Sequence, residues 1–216
     1  GKGKFEIPTA QKNKRALSIG AIKAIFDYQP QSRTEQRAKD FWIFSYLCNG
    51  INVADLIRLK YSQLQFHEDG CTITFLRQKT QRSKADKTEK VIEFDTEPTE
   101  HIRSIISKKK KKSKSGYIFQ FLNDKNTSQE QHNAKTSFVR MLNKSLRNIA
   151  KNLDLPIDLT TYTARHSYAT VLLRSGVSVA AISEALGHSD LKTTESYLGG
   201  FSSESKRQNS KNLLNF

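Results

Sequence analysis

The sequence predicts an α+β fold that is mostly helical and carries a small three-stranded antiparallel sheet. Apolar residues recur at helical spacing along much of the chain, and glycine or proline follows several of these segments. One stretch, residues 71–76, alternates instead between apolar and polar residues, which is typical of a strand. Because neither an internal repeat nor a long flexible linker interrupts the 216 residues, we expect one mixed domain.

The N-terminal part is predicted to be helical. Ser18 is a candidate N-cap for a helix over residues 18–28, which the following proline and polar run end. A dense apolar patch predicts a buried helix over residues 34–48. Gly50 follows this helix and suits a left-handed C-terminal cap. A further helix is expected over residues 53–59.

The middle of the chain is predicted to form the sheet. The strand at residues 71–76 has a partner at residues 91–94, and a third strand is expected around residues 61–66. The polar stretch between the two partners is rich in lysine and arginine, so we expect a basic β-hairpin. A helix over residues 98–107 follows the sheet.

The rest of the chain is predicted to be helical. A lysine-rich loop at residues 107–115 comes first, and apolar spacing then predicts a long helix over residues 135–153, which Pro156 ends. Three further helices are expected, at residues 165–175, 179–186 and 194–201.

The composition favours a nucleic-acid-binding protein. Lysine and arginine number 36 against 21 acidic residues, for a net charge of +15. This excess of positive charge repels itself in a compact state, which favours a polyanionic partner. Nucleic acid is favoured over anionic lipid, because no basic amphipathic helix carries an aromatic face. No apolar run approaches the roughly 18–20 residues of a membrane span. We therefore expect a cytoplasmic protein with no membrane partner.

The cysteines and the first residues exclude further classes of protein. Cys48 and Cys71 are the two cysteines and lack metal-ligand spacing, so neither a disulfide framework nor a zinc module is expected. The polar start of the chain has no apolar segment behind it, so we expect no secretory signal.

The pattern most informative about function lies near the C-terminus. His188, in the run Leu-Gly-His, follows Arg165 by twenty-three residues, and Tyr197 comes nine residues later. This pattern resembles the tyrosine recombinase (phage integrase) family, which carries His-x-x-Arg-His, Leu-Gly-His and a tyrosine at these spacings. The amino-acid sequence around Arg165 is most similar to that of integrases of mobile elements from Bacteroidetes. The resemblance spans roughly residues 15–201.

The resemblance implies a site-specific DNA recombinase or integrase that works through a 3′-phosphotyrosine, without metal, ATP or other cofactor. It implies a catalytic domain over residues 17–201, between a flexible basic lead-in at residues 1–16 and a tail at residues 202–216. The tail would pack on a neighbouring protomer or in cis. The implied partner is double-stranded DNA, bound by a homo-tetramer at a bacterial nucleoid, with a free monomer in solution. The family's separate N-terminal DNA-binding domain is not expected in this chain.

The resemblance also implies roles for individual residues. Tyr197 would be the nucleophile, and Arg165 would neutralise the scissile phosphate through two parallel hydrogen bonds. His188 would hydrogen-bond a non-bridging oxygen. Lys79 on the hairpin would protonate the leaving 5′-oxygen, with Lys84 as the fallback.

Two positions depart from the family pattern. Tyr162 replaces the first histidine, and a phenol can donate a hydrogen bond but cannot become a cationic acid near neutral pH. Asn52 stands where the family has its first arginine, three residues before the retained acidic residue Asp55. Either a displaced arginine supplies the missing charge, with Arg37 favoured over Arg58, or that role is lost.

The remaining basic residues are predicted to bind DNA. They are Arg82, Lys84 and Lys87 on the hairpin and Lys108, Lys109 and Lys110 in the predicted loop. The loop lysines are expected to attract phosphates without reading the bases. Two other functions stay open. The departures at Asn52 and Tyr162 favour a relative that binds DNA without cleaving it, and residues 177–197 also fit a helix-turn-helix regulator. A regulator explains neither Arg165 nor the basic hairpin.

Overall fold

Helices dominate the fold, and three strands lie near its middle. The structure, a computed structural model, describes residues 16–77, 89–110, 116–122, 125–188 and 191–198. Within these ranges the helices are α1 (Ile19–Asp27), α2 (Arg33–Leu47), α3 (Val53–Leu56), α4 (Thr96–Lys110), α5 (Ser128–Asn152), α6 (Thr161–Arg174), α7 (Val179–Leu186) and α8 (Leu191–Leu198). The strands are β1 (Leu64–Phe66), β2 (Gly70–Leu76) and β3 (Glu89–Asp95).

The sheet is antiparallel with strand order β1-β2-β3, as predicted. The third strand is shorter than the expected residues 61–66. Tyr61–Gln63 forms a 3₁₀ turn, and Leu64–Phe66 alone joins the sheet. The turn closes because the backbone N–H of Lys60 donates to Oε1 of Gln63 at 2.9 Å, which holds this segment out of the strand conformation.

The core centres on α2, which packs against α5 and α6. Phe41 and Trp42 are fully buried, and the Phe41 ring lies edge-on to Phe138 of α5 with the ring centroids 5.3 Å apart. Trp42 Nε1 donates to Oγ1 of Thr163 on α6 at 3.0 Å. Burial of large aromatic side chains is worth about 1.5–3 kcal/mol each, so α2 holds α6, and with it Arg165, firmly in place.

The polar first turns of α5 and α6 lie before the starts that apolar spacing predicts. α5 begins at Ser128 rather than 135, because Thr127 Oγ1 accepts from the N–H of Glu130 at 3.3 Å and Glu130 Oε2 accepts from the N–H of Thr127 at 2.7 Å. This capping box satisfies backbone donors of the first turn. α6 begins at Thr161 rather than 165, because its N–H donates to Oδ1 of Asn143 on α5 at 2.9 Å. Both first turns are polar, and apolar spacing does not detect them.

The prediction of a loop from residue 107 onward is wrong for its first part. α4 continues through Lys110, so Lys108, Lys109 and Lys110 form the last turn of a helix. Lysine is a good helix former, and positive charge near a helix C-terminus interacts favourably with the helix dipole. The positive charges predicted for a loop are therefore carried by a helix end.

The shorter helices and the chain ends complete the fold. α3 ends at Leu56 rather than 59, and α8 spans Leu191–Leu198 rather than 194–201. Apart from Ala16, the predicted lead-in at residues 1–16 lies outside the described residues, as does the predicted tail at residues 202–216. In the described part of the chain, no helix combines the length and the apolar character that crossing a membrane requires.

Candidate active site

An open cavity of about 460 Å³ lies where α3, α6 and α7 meet β2 and β3. Five charged residues line it: Asp55, Arg77, Lys90, Arg165 and Glu184. Three of these are basic and two are acidic, so the lining carries a positive charge. A cavity of this sign attracts an anionic group such as a phosphate.

Arg165 is buried beside the cavity, with 6% of the residue exposed. Its Nη1 donates to the carbonyl oxygen of Gly50 at 2.8 Å, and its Nη2 donates to that of Leu186 at 2.7 Å and to Nε2 of His188 at 2.8 Å. Burial lowers the pKa of the Arg165 guanidinium to about 10, and the nearby charge of Arg77 lowers it as well. This value lies well above neutral pH, so Arg165 remains cationic.

His188 connects Arg165 to α8. Because a guanidinium can only donate, Nε2 of His188 accepts, and Nδ1 carries the proton that it donates to Oγ1 of Thr194 at 2.8 Å. Thr194 is fully buried on α8, which packs against α6 and α7. The backbone of Tyr197 lies on the same helix, one turn further on. One chain of hydrogen bonds therefore ties the buried arginine to the helix that carries the predicted nucleophile.

Two glycines form walls of this site. Gly50 and Gly187 have φ values of +59° and +64°, in the left-handed region that favours glycine. A Cβ at Gly50 would lie 2.9 Å from Cα of Arg165, and a Cβ at Gly187 would lie 2.5 Å from Nη1 of Arg77. The carbonyl oxygens of the same two glycines accept from Arg165 and Arg77. Both turns therefore need glycine for their conformation and for space.

We expect Gly50→Ala to destabilise the chain. A left-handed alanine costs roughly 1–2 kcal/mol, and the added methyl group also forces Arg165 to move. Chemical denaturation of both proteins measures the change in the free energy of unfolding. Gly20→Ala is the matched control, because Gly20 lies in α1 and an added Cβ meets nothing within 4 Å. The control should leave stability unchanged or slightly raised, and an equal loss in both variants would contradict the expectation.

Asn52 lines the cavity, and its amide is engaged in capping α3. Oδ1 of Asn52 accepts from the N–H of Asp55 at 3.1 Å, and Nδ2 donates to Oδ2 of Asp55 at 2.5 Å. Arg77 approaches the same carboxylate oxygen, with its Nε 3.8 Å from Oδ2. Nη1 of Arg77 donates to the carbonyl oxygen of Gly187. The Arg77 guanidinium thus lies beside the position where the family pattern has an arginine.

Tyr162, Arg37 and Arg58 are not among the residues that line the cavity. Tyr162 lies in the first turn of α6, is 42% exposed and packs edge-on against the ring of His166, with the centroids 4.8 Å apart. Its phenol is near enough to Arg165 to counter in part the lowering of the Arg165 pKa by burial. The Arg37 guanidinium lies 4.6 Å from the centroid of the Phe121 ring. Nη1 of Arg58 donates to a carbonyl oxygen of α3 at 2.9 Å. Arg37 on α2 and Arg58, which follows α3, are thus engaged with these other partners.

The predicted hairpin residues Lys79, Arg82, Lys84 and Lys87 lie outside the described ranges. Their predicted roles therefore stay predictions. Lys90, on β3 next to the same hairpin, lies within the described ranges and lines the cavity.

Reasoning from sequence missed Arg77, although a signal was present. Side chains alternate between the two faces of a strand, and Ile73 and Phe75 of β2 are buried. Continuing that alternation by one step places Arg77 on the same inward face. A basic residue on the buried face of a strand indicates a site that holds an anion or a carboxylate.

The chain matches the sequence pattern described as "Phage integrase family" over residues 17–202. It is 29% identical over 196 residues to the tyrosine recombinase XerD of Halalkalibacterium halodurans, which covers 89% of this chain and 60% of that protein. It is 30% identical over 151 residues to XerD of Listeria monocytogenes, which covers 68% of this chain and 45% of that protein. The chain thus spans at most 60% of the length of these two curated relatives.

Solved structures show the same fold. The crystal structure of XerA recombinase matches with a TM-score of 0.65 and 18% identity, covering 98% of this chain and 67% of that one. XerH bound to palindromic difH substrate, a post-cleavage complex, matches with a TM-score of 0.65 and 16% identity, covering 90% and 52%. These matches confirm the predicted mostly helical α+β fold with a small antiparallel sheet. Because the family's sequence pattern runs through almost all of the described helices and strands, the chain belongs to the phage integrase family of tyrosine recombinases.

Proposed function

We propose that residues 17–201 form the catalytic domain of a site-specific recombinase or integrase that cleaves and rejoins double-stranded DNA. The observation that carries the proposal is the hydrogen-bond chain from Arg165 through His188 to Thr194, which links a cationic cavity to the helix of Tyr197. A phosphate in this cavity would meet the guanidinium of Arg165 and lie near the helix that carries Tyr197. A tyrosine can attack a phosphodiester, and a guanidinium neutralises part of the charge of the phosphate.

In the proposed reaction, the scissile phosphoryl group passes from the 5′-oxygen of DNA to the hydroxyl of Tyr197 and back. Tyr197 Oη loses its proton to water and forms a bond to phosphorus, while the bond from phosphorus to the 5′-oxygen breaks. The leaving 5′-oxygen takes a proton from a general acid, for which Lys79 is the proposed residue. Rejoining is the reverse, because a 5′-hydroxyl attacks the phosphotyrosine ester. The ester conserves the energy of the broken bond, so the cycle needs neither ATP nor metal.

Arg165 and His188 would share the charge of the transition state. The fork of Arg165 suits two parallel hydrogen bonds to the non-bridging oxygens, which carry extra negative charge at that point. His188 accepts from Arg165 through Nε2. The other neutral tautomer, with the proton on Nε2, would donate to a phosphate oxygen, and Oγ1 of Thr194 would then donate to Nδ1.

A covalent trap tests the proposed function. The full chain is incubated with a pool of nicked duplexes of randomised sequence, in which the nick releases the short cleaved strand and prevents rejoining. We expect a protein–DNA adduct that survives SDS, and sequencing of the trapped DNA identifies the target site. DNA binding without any adduct would overturn the proposal and favour the non-cleaving relative or the regulator.

We further propose that the chain acts as a homo-tetramer on DNA, at the nucleoid in the bacterial cytoplasm, with the tail at residues 202–216 packing on a neighbouring protomer. DNA as the partner is supported by the Tn1549 transposon integrase, 17% identical with a TM-score of 0.62 and covering 95% of this chain and 68% of that one, which was solved in complex with a circular intermediate DNA. The tetramer, the nucleoid and the role of the tail follow from the family resemblance. Light scattering of the chain with a four-way junction made from the trapped site should give four protomers per junction. One or two protomers per junction would contradict the tetramer.

We expect DNA binding to weaken steeply with salt. Each phosphate neutralised by lysine or arginine contributes a slope of about −0.9 to log K against log salt, and the chain carries a net charge of +15. Replacing Lys108, Lys109 and Lys110 by glutamate should lower the affinity equally for the trapped site and for random duplex, because lysines position DNA without reading bases. Fluorescence anisotropy over a salt series measures both. A loss confined to the trapped site would contradict the nonspecific role.

A further inference from the structure

One catalytic position of the family carries no arginine in this chain, and the cationic side chain of Arg77 lies beside it. Asn52 stands at the position of the family's first arginine, and its amide is bound to Asp55 of the same helix. An amide has no charge, so a phosphate that met Asn52 alone would lack one of its two guanidinium partners. Any replacement has to reach the same cavity from another element.

Arg77 reaches this place from the end of β2. Its Nε lies 3.8 Å from the carboxylate oxygen of Asp55 that also binds Asn52, so the guanidinium and the amide of Asn52 adjoin. Its side chain is 13% exposed, and Arg77 lines the cavity. The guanidinium is therefore held in place at the wall of the cavity.

Arg77 and Arg165 are held by the same type of hydrogen bond. Each donates to the carbonyl oxygen of a glycine in the left-handed conformation, Gly187 for Arg77 and Gly50 for Arg165. Their charges are close enough that Arg77 lowers the pKa of Arg165. Two positive charges that face one cavity repel each other unless an anion lies between them. A phosphate bound between the two guanidinium groups supplies that negative charge.

We propose, on the basis of the proposed function, that Arg77 supplies the second guanidinium at the scissile phosphate, in place of the arginine that the family carries at the position of Asn52. Arg77 and Arg165 then hold the two non-bridging oxygens from opposite sides. Asp55 orients Arg77 through its carboxylate, and Asn52 keeps that carboxylate in position by capping α3. Neither Arg37 nor Arg58 takes this role, because both are bound elsewhere.

The test is the single-turnover rate of covalent adduct formation on the nicked duplex recovered from the trapping pool. Arg77→Ala should slow this rate by roughly 10²–10³-fold, the usual cost of one transition-state donor. Arg77→Lys should lose less, since it keeps the charge but not the two-pronged geometry. Arg37→Gln and Arg58→Gln, which remove the same charge outside the cavity, should react at close to the wild-type rate.

Two further measurements separate charge neutralisation from a structural role. A methylphosphonate at the scissile position removes the negative charge, so the loss caused by Arg77→Ala or Arg77→Lys should largely disappear on that substrate. Adding Asn52→Arg to Arg77→Ala should restore much of the lost rate by returning a guanidinium to α3. If Arg77→Ala fails to fold, Arg77→Lys on the two substrates gives the same comparison.

The outcomes are distinct. The proposal is overturned if Arg77→Ala reacts at close to the wild-type rate, if the loss is equal on both substrates, or if Arg37→Gln or Arg58→Gln is the severe variant. If the wild-type chain forms no adduct on any duplex of the pool, the proposed function fails instead.

Discussion

Tyr197→Phe should abolish covalent attachment to DNA and leave DNA affinity nearly unchanged. The phenol oxygen is the atom that bonds to phosphorus in the proposed reaction, and no other atom of that side chain can replace it. Affinity arises mainly from many phosphate contacts, and phenylalanine removes none of the charges that make them. Adduct yield on a denaturing gel and anisotropy with the same duplex measure the two quantities on one protein preparation.

Tyr168→Phe is the matched control for this loss. The hydroxyl of Tyr168 donates to Oδ1 of Asn49 at 3.0 Å. Burial raises the pKa of Tyr168 to about 12, and the neighbouring Tyr46 raises it as well. A phenol that ionises with such difficulty is a poor nucleophile, so this variant should still form adducts. Adducts that persist in Tyr197→Phe and vanish in Tyr168→Phe would transfer the nucleophile to Tyr168.

Arg165→Ala should slow adduct formation by roughly 10²–10³-fold, since it removes a donor that acts on the developing charge of the phosphate. It should also destabilise the chain. The carbonyl oxygens of Gly50 and Leu186 lose their donor in a buried setting, and each unsatisfied group costs about 1–3 kcal/mol. Single-turnover trapping measures the rate, and chemical denaturation measures the stability.

Arg165→Lys separates the two effects. Lysine keeps the positive charge but places it on a single nitrogen atom. Arg165→Lys should therefore retain a larger fraction of the wild-type stability than of the wild-type rate. Arg174→Ala, which removes an exposed arginine from the same helix, should retain both. An Arg165→Ala variant that still formed adducts at close to the wild-type rate would show that the phosphate does not bind in this cavity.

Local signals were sufficient for much of the fold. Ser18 caps α1 as expected, with its hydroxyl accepting from the N–H of Ala21 at 3.2 Å. Gly50 adopts the predicted left-handed conformation, and β2 pairs with β3 in the predicted antiparallel hairpin. The Thr127 and Glu130 capping box was visible in the sequence as well. This local signal places the start of α5 nearly two turns before the residue that apolar spacing predicts.

Other features depend on partners far away in the chain. The start of α6 has a local and a distant support. Oγ1 of Thr163 accepts from the N–H of Thr160 at 3.2 Å, and Asn143 on another helix accepts from the N–H of Thr161. Nothing near Thr161 in the sequence indicates the second partner. Neither Arg37 nor Arg58 lines the cavity, although both are close to Asn52 in sequence. Arg77, twenty-five residues away from Asn52, lines it, because β2 ends beside α3.

Short-range spacing in the sequence determined the order of the helices and the small sheet. It also carried the family resemblance, through Arg165, His188 and Tyr197. Spacing of this kind is a property of the sequence and needs no tertiary contact. The cavity depends on contacts of another kind. Arg77 donates to Gly187 across 110 residues, and Trp42 donates to Thr163 across 121. Such contacts arise only once packing brings α2, α6 and the sheet together, because burial sets which face of each element turns inward. Tertiary structure therefore decided which arginines line the site.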